Sequence, residues 1–186
     1  MKNLLSSLIL LAVCGLAGVQ AATFEGVTLP DSAALAGKTL VLNGMGLRTY
    51  FIFDIYVGAI YLPEKATTPE AVMAEQGPYR VVMHMLHDVT QKQFADNWHD
   101  DIQNNNKDDY ASIESDAGQF AALFTAAKKG DEIFIDYVPG TGVSISYNGT
   151  LKGTIKGDAF GKALLRVYMG PNPPTKSLQR GMLGGG

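Results

Sequence analysis

The sequence predicts an α+β domain in which helices pack on one face of a large antiparallel sheet. Three observations predict it. Runs rich in Val, Ile, Tyr and Phe gather between residues 39 and 86 and again between 132 and 156, while helical patterns form blocks of their own. No strand–helix–strand alternation calls for a parallel sheet. Asn148-Gly149, set between two alternating segments, is the strongest short hairpin signal in the chain.

The first element is a leader. Met1-Lys2-Asn3 makes a short positive start, Leu4 to Val19 an apolar run, and Val19-Gln20-Ala21 a small-residue cleavage pattern. This reads as a secretory signal peptide over residues 1–21, cut after Ala21 with Ala22 as the alternative, and it is too short for a stable membrane span. Leu11-Ala12-Val13-Cys14 is similar to a lipoprotein box, but bulky Val13 argues against lipidation. Cys14 is the only cysteine, so the mature chain would hold no disulfide or thiol chemistry. The bacterial periplasm is the expected compartment.

Residues 22–186 suit a single domain with a sizeable core. Loss of Lys2 takes the formal charge from −3 to −4, and no basic stripe suggests nucleic acid as a partner. No second apolar run is long enough to span a bilayer.

Thr39 to Leu42 and Tyr50 to Leu62 read as strands, with a turn near Arg48 to Phe51. Thr68 caps a short helix with Pro69 at its first position. Tyr79 to Leu86 is a strand. Thr90 starts a helix that brings Phe94, Trp98, Asp101 and Ile102 near one face. Asn104 to Asp109 reads as a solvated polar break. Ser115 is expected to cap a second helix with Phe120, Leu123, Phe124 and Ala127 as its apolar stripe, ending at Gly130. Glu132 to Val138, Val143 to Tyr147 and Leu151 to Lys156 form a meander. Asp158 starts a long helix over Ala159 to Met169, and Thr175 to Leu183 is an amphipathic tail.

Arg48 is the first candidate for a ligand-binding group. It ends a glycine-bearing strand and faces a long aromatic and β-branched run in which only Asp54 is charged before Glu64. A guanidinium set against that much apolar surface needs an anion or a set of acceptors. Asp54 or Asp101 could neutralise it structurally instead.

The Gly44-x-Gly46-x-Arg48 turn, the Tyr56 to Leu62 strand, the Thr90-x-Lys92-Gln93-Phe94 helix start and the closing Phe160 to Gly170 helix together resemble the chalcone isomerase-like family. The resemblance covers the mature chain in order. It implies an open-faced β-sandwich with a ligand cleft between the sheet and the helices. In catalytic members an Arg steadies an anionic substrate oxygen, a Thr and a Tyr order a water, and a helix Asn touches the substrate. Here the Arg is Arg48, the Thr position holds Tyr56, the helix Tyr position holds Phe94, and the Asn position falls on Asp101. Phe94 can neither donate nor accept a hydrogen bond, which argues against chalcone isomerisation itself.

Non-catalytic plant relatives bind fatty acids through an Arg and a Tyr on the corresponding strands, and Arg48 with Tyr56 looks like that pair. A guanidinium offers a carboxylate a bidentate fork, and a phenol adds another donor. Phe51, Phe53, Ile55, Val57, Phe94 and Trp98 are apolar material for the acyl chain. The resemblance thus implies a protein binding a small amphipathic ligand such as a fatty acid, with Arg48, Tyr56, Phe94, Trp98 and Asp101 as binding residues, and the leader places it in the periplasm. The alternative is an isomerase or intramolecular lyase for an unsaturated carbonyl compound, with Arg48 and Tyr56 catalytic. A scaffold for an unknown protein partner is a third reading.

No cofactor is implied. His84 and His87 fall on opposite faces of a strand, which argues against zinc. Asn104 to Asp109 lacks the alternating ligands and glycine of a calcium loop. Gly44-x-Gly46 is too short to cradle phosphate.

Overall fold

A computed structural model describes residues 20–185. The expected leader up to Val19, with Cys14, lies outside the described residues. The strands are β1 (Ala21–Phe24), β2 (Val27–Pro30), β3 (Ser32–Leu35), β4 (Lys38–Tyr50), β5 (Phe53–Leu62), β6 (Tyr79–Met85), β7 (Glu132–Val138), β8 (Gly142–Tyr147) and β9 (Thr150–Lys156). The helices are α1 (Pro69–Ala74), α2 (Gln91–Asn105), α3 (Tyr110–Leu123), α4 (Asp158–Met169) and α5 (Lys176–Met182).

Strands β3 to β9 form one curled antiparallel sheet in chain order, each paired with the next. The expected antiparallel sheet carrying helices is therefore what forms. Period-two alternation divides its side chains between two layers. Ile60, Met83, Ile133, Ile135 and Ile145 face the helices, where they meet Phe120, Phe160, Leu164 and Tyr168. Leu40, Leu42, Val57, Ala59 and Tyr61 face the other way. That second face is not bare: the β1–β2 hairpin lays Val27 and Leu29 on it, and the Tyr61 hydroxyl donates to Pro30 O at 2.8 Å. Glu25-Gly26, both at positive φ (49° and 76°), make its two-residue turn, a signal that the sequence reading missed.

Turn and cap chemistry explains the best-defined boundaries. Asn148 and Gly149 both hold positive φ, 48° and 79°, as a tight two-residue hairpin turn requires. Thr68 accepts from Ala71 N with Pro69 at the first helical position. Thr90 and Gln93 form a reciprocal capping box at the start of α2.

Four expectations need correction. β4 runs on to Tyr50, and the chain turns at Phe51 and Ile52, so Tyr50–Leu62 is not one strand. The turn expected near Arg48 to Phe51 falls slightly later, among apolar residues without Gly or Pro to fix its place. α3 starts at Tyr110 after Asp109, not at Ser115, because Ile113 and Ala117 already belong to its buried face. It also ends at Leu123; Phe124 caps it and Ala127 pairs as a bridge with Val89. Asn105 and Asn106 are buried rather than solvated. Asn105 binds Asp101 O, Asn172 O and Asn172 N, while Asn106 binds Ile102 O, Ala163 O and Arg166 Nε. Polar composition reads as solvent exposure unless these partners are visible.

Asn43 is a similar internal fastener: its amide donates to Ala66 O and Met182 O and accepts from Ala66 N. Asn43→Ala leaves three backbone groups unpaired, one of them buried and two part-buried. It is expected to cost about 2 kcal/mol, read as a lower urea midpoint with an unchanged slope.

Candidate functional site

Arg48, near the end of β4, stands directly opposite Tyr56 on β5. Directly opposed residues of antiparallel strands project from the same face. That face carries the helices, because Tyr56 belongs to the helix-side core. A register shift between Arg48 and Thr49 re-aims the strand end at this point. Arg48 Nη1 donates to Thr49 O at 2.9 Å and to Pro174 O at 3.0 Å. Those carbonyls hold the guanidinium without neutralising it. Among the described residues no carboxylate lies within 4.0 Å of it, neither Asp54 nor Asp101. Across the strand pair the guanidinium also stands close enough to Tyr56 to pull its phenol's pKa down against the effect of burial.

Tyr56 is buried, 6 % exposed, rather than reaching solvent. Burial pushes its phenol well above the usual range; Arg48 beside it opposes this and Asp101 adds to it. Tyr56 is thus a neutral hydroxyl at physiological pH. Behind it, the buried Tyr168 hydroxyl has no hydrogen-bond partner, although Tyr56, Asp101 and Tyr79 surround it closely enough to raise its pKa further.

The facing wall is α2. Phe94, Trp98 and Ile102, four residues apart, form its buried stripe. Trp98 packs edge-on against Phe120 with centroids 4.9 Å apart, and Phe94 lies 5.1 Å from Phe124. Asp101 flanks that stripe, partly buried. Burial raises its carboxyl to about 6, with Arg48 pulling down and Asp100 pushing up.

Between the β4–β5 end of the sheet and α2 lies a cleft of about 510 Å³. Arg48, Tyr56, Phe94, Trp98 and Asp101 all line it, so five residues from three elements meet in one hollow. Phe51, Phe53 and Ile55 line it as well, with Phe51 and Phe53 exposed at the mouth. Val57 does not: it points to the opposite face, one position out of phase. The sequence reading missed Met83, Gln93, Asn97, Asp100 and Pro174. Gln93, Asn97 and Asp101 recur at helical spacing beside the apolar stripe, a readable signal; Pro174 offered none. The wall also carries acids, but Asp88 is bound by Lys128 at 2.8 Å and Asp96 by Lys92 at 2.6 Å.

The three histidines do not converge. His84 sits 3.3 Å from Glu132 on the outer face, His87 stacks on Phe53 at the cleft mouth, and His99 reaches Tyr110. A second depression, of about 490 Å³, lies between the β1–β2 hairpin and β4, and none of the expected site residues line it.

The glycines of the Gly44-x-Gly46 segment serve packing. A Cβ on Gly44 would run into Gly181 O, and one on Gly46 into Leu178 Cα at 2.8 Å, so both let α5 lie directly on β4. Thr175 and Ser177 then donate to Leu47 O at 3.1 and 3.0 Å, which positions Pro174 over Arg48.

Comparison with known proteins places this architecture. The family model described as chalcone isomerase-like matches residues 21–184. The chain belongs to the chalcone isomerase-like family. No curated protein matches it. Among solved structures, it is similar to the Arabidopsis thaliana fatty-acid binding protein AtFAP1, with a TM-score of 0.69 and 14 % identity. That likeness covers 88 % of this chain and 96 % of the plant protein, and at this identity it speaks for the shared fold. The chalcone isomerase-like fold thus provides both the curled sheet and the helices that border the cleft.

Proposed function

We propose that this chalcone isomerase-like protein binds a small amphipathic molecule, such as a fatty acid, and that Arg48 and Tyr56 grip its acidic head. The carrying observation is the cross-strand Arg48–Tyr56 pair on the wall of a cleft that sets aromatic and aliphatic side chains beside polar ones, with the guanidinium unneutralised by any described carboxylate. Its volume falls within the range of small-molecule pockets, about 300–1,000 Å³. The fold shared with a plant fatty-acid binding protein supports the same class of ligand. The leader-like residues 1–21 support a periplasmic location. Displacement of a fluorescent fatty acid tests the proposal: no displacement by long-chain fatty acids overturns it.

Asp101 gives this reading a pH dependence. Its folded pKa, about 6, lies above the unfolded value of 3.8. The folded state therefore holds this proton more tightly, and stability from this group falls as pH rises through that interval. Asp101→Asn is expected to stabilise the protein above pH 6 by about 1 kcal/mol and to leave it unchanged below the unfolded pKa, measured as urea midpoints across pH. A neutral Asp101 also stops repelling the ligand's carboxylate. Fatty-acid affinity should rise about tenfold as pH falls from alkaline values toward 6, and Asp101→Asn should flatten that rise. Arg48, Tyr56, Tyr168, Asp100 and His87 share this neighbourhood, so the comparison with Asp101→Asn isolates the share owed to Asp101.

A second reading, an isomerase or intramolecular lyase for an unsaturated carbonyl compound, draws on the unpartnered Tyr168 hydroxyl behind Tyr56. Two phenols beside a guanidinium could order a water or stabilise an enolate. A substrate screen following loss of conjugated absorbance decides it: turnover unchanged in Arg48→Ala and Tyr56→Phe removes this site from consideration.

A further inference from the structure

We propose that the tip of the β4–β5 hairpin, Tyr50 to Phe53, is a wedge that inserts into the interface of a neutral lipid bilayer and sets the mouth of the cleft against the membrane. Among the described residues, four of the five exposed large apolar side chains sit at these consecutive positions: Tyr50 at 54 %, Phe51 at 85 %, Ile52 at 89 % and Phe53 at 49 %. Scattered apolar exposure is ordinary, but a contiguous uncharged protrusion marks an interaction site.

The backbone argues the same way. Phe51 is the first residue of a two-residue turn and holds φ at +54°, a conformation that suits Gly or Asn. The Asn148-Gly149 turn of the same molecule shows the ordinary solution. Here a phenylalanine holds the positive φ instead, as Glu25 and Ala36 do elsewhere in the chain, but unlike them it is a large apolar side chain left 85 % exposed.

A bilayer fits the tip better than a protein partner does. The tip is a two-residue hairpin end whose side chains at Phe51 and Ile52 are 85 % and 89 % exposed. Tyr50 packs edge-on against Phe51 at 4.7 Å, and Phe53 stacks on His87 at 5.1 Å, so the rings form a preassembled wedge. Phenol and phenyl rings favour the headgroup boundary of a membrane. The nearby charges set the lipid type. Asp54 follows the tip and Asp100 lines the cleft behind it, and no basic cluster lies on the tip to attract anionic headgroups. Insertion therefore rests on apolar burial alone. Tyr50, Phe51 and Phe53 also line the cleft mouth, so a docked protein opens its cleft toward the phase where amphipaths reside. That last consequence rests on the ligand reading; docking itself does not.

Flotation with phosphatidylcholine vesicles tests the proposal without any added ligand. The protein is expected to float with the vesicles at low and high salt, and phosphatidylserine should not enhance it. Ile52→Ser should lower partitioning about tenfold, and Phe51→Ser with Ile52→Ser about a hundredfold. Both positions are solvent-exposed, so neither change threatens the fold. Ile52 does not line the cleft, so Ile52→Ser should keep its fatty-acid affinity in vesicle-free solution. Phe51→Trp adds a reporter beside buried Trp98, and its emission should shift to the blue with vesicles and be quenched by brominated acyl chains. Absence of the protein from the floated fraction overturns the proposal, as does flotation unchanged in the double variant. A dimer that the double variant dissociates also overturns it, by showing that the tip covers a second copy.

Discussion

Arg48→Ala is expected to weaken fatty-acid binding about a hundredfold, because it removes the one unneutralised cation of the cleft and leaves a carboxylate head beside buried phenols. The loss should appear in calorimetric titration as a lost enthalpy of head-group recognition. Arg48→Lys should recover part of it, since an ammonium supplies charge without the planar fork. Stability should change little by comparison. The guanidinium's protein partners are two part-buried carbonyls, Thr49 O and Pro174 O, which water can reach once the side chain is gone. A variant that binds normally would move the head-group site away from Arg48.

Gly46→Val should produce the largest loss of stability. Its Cβ would meet the oxygen, Cα and carbonyl carbon of Leu178, all backbone atoms of α5. Backbone in a packed helix cannot give way as a side-chain end can, so overpacking here is expected to cost about 3 kcal/mol or more. The melting temperature should fall by about 10 °C. Gly58→Ala makes a useful contrast. Its new methyl meets Leu178 Cδ1 and Met182 Cε, the movable ends of side chains, and only then the Tyr56 ring at 3.1 Å, so it should cost distinctly less. Because α5 carries Pro174 over Arg48, Gly46→Val should also weaken ligand binding before the protein unfolds.

The meander and the closing helix were legible because local chemistry and tertiary packing agree there. Asn148-Gly149 turns where its conformational preference says, and Glu132–Val138 alternates because one face is buried. The Tyr50–Phe53 turn was legible only roughly, near Arg48 to Phe51, since its residues carry strand propensity and the register of β4 on β5 sets its exact place. Asn105 and Asn106 were hidden for another reason: their carbonyl partners on α4 and the following loop are remote in sequence. At the site, Arg48 stood out as a charge in apolar company. Its pairing with Tyr56 came from resemblance, because the register of β4 on β5 was not readable, and Asp101, some fifty positions away, carries no local sign of contact. Tyr168 was indistinguishable from any other apolar-stripe residue of α4.

The most direct measurement is the carbon-13 resonance of a carboxyl-labelled long-chain fatty acid bound to the protein, followed through a pH titration. With its head held by Arg48 and Tyr56, the bound carboxyl should stay ionised well below the pH at which the same acid protonates in membranes or micelles, and Arg48→Ala should abolish that protection. A bound resonance that titrates alike in both proteins, or no bound resonance at all, contradicts the account.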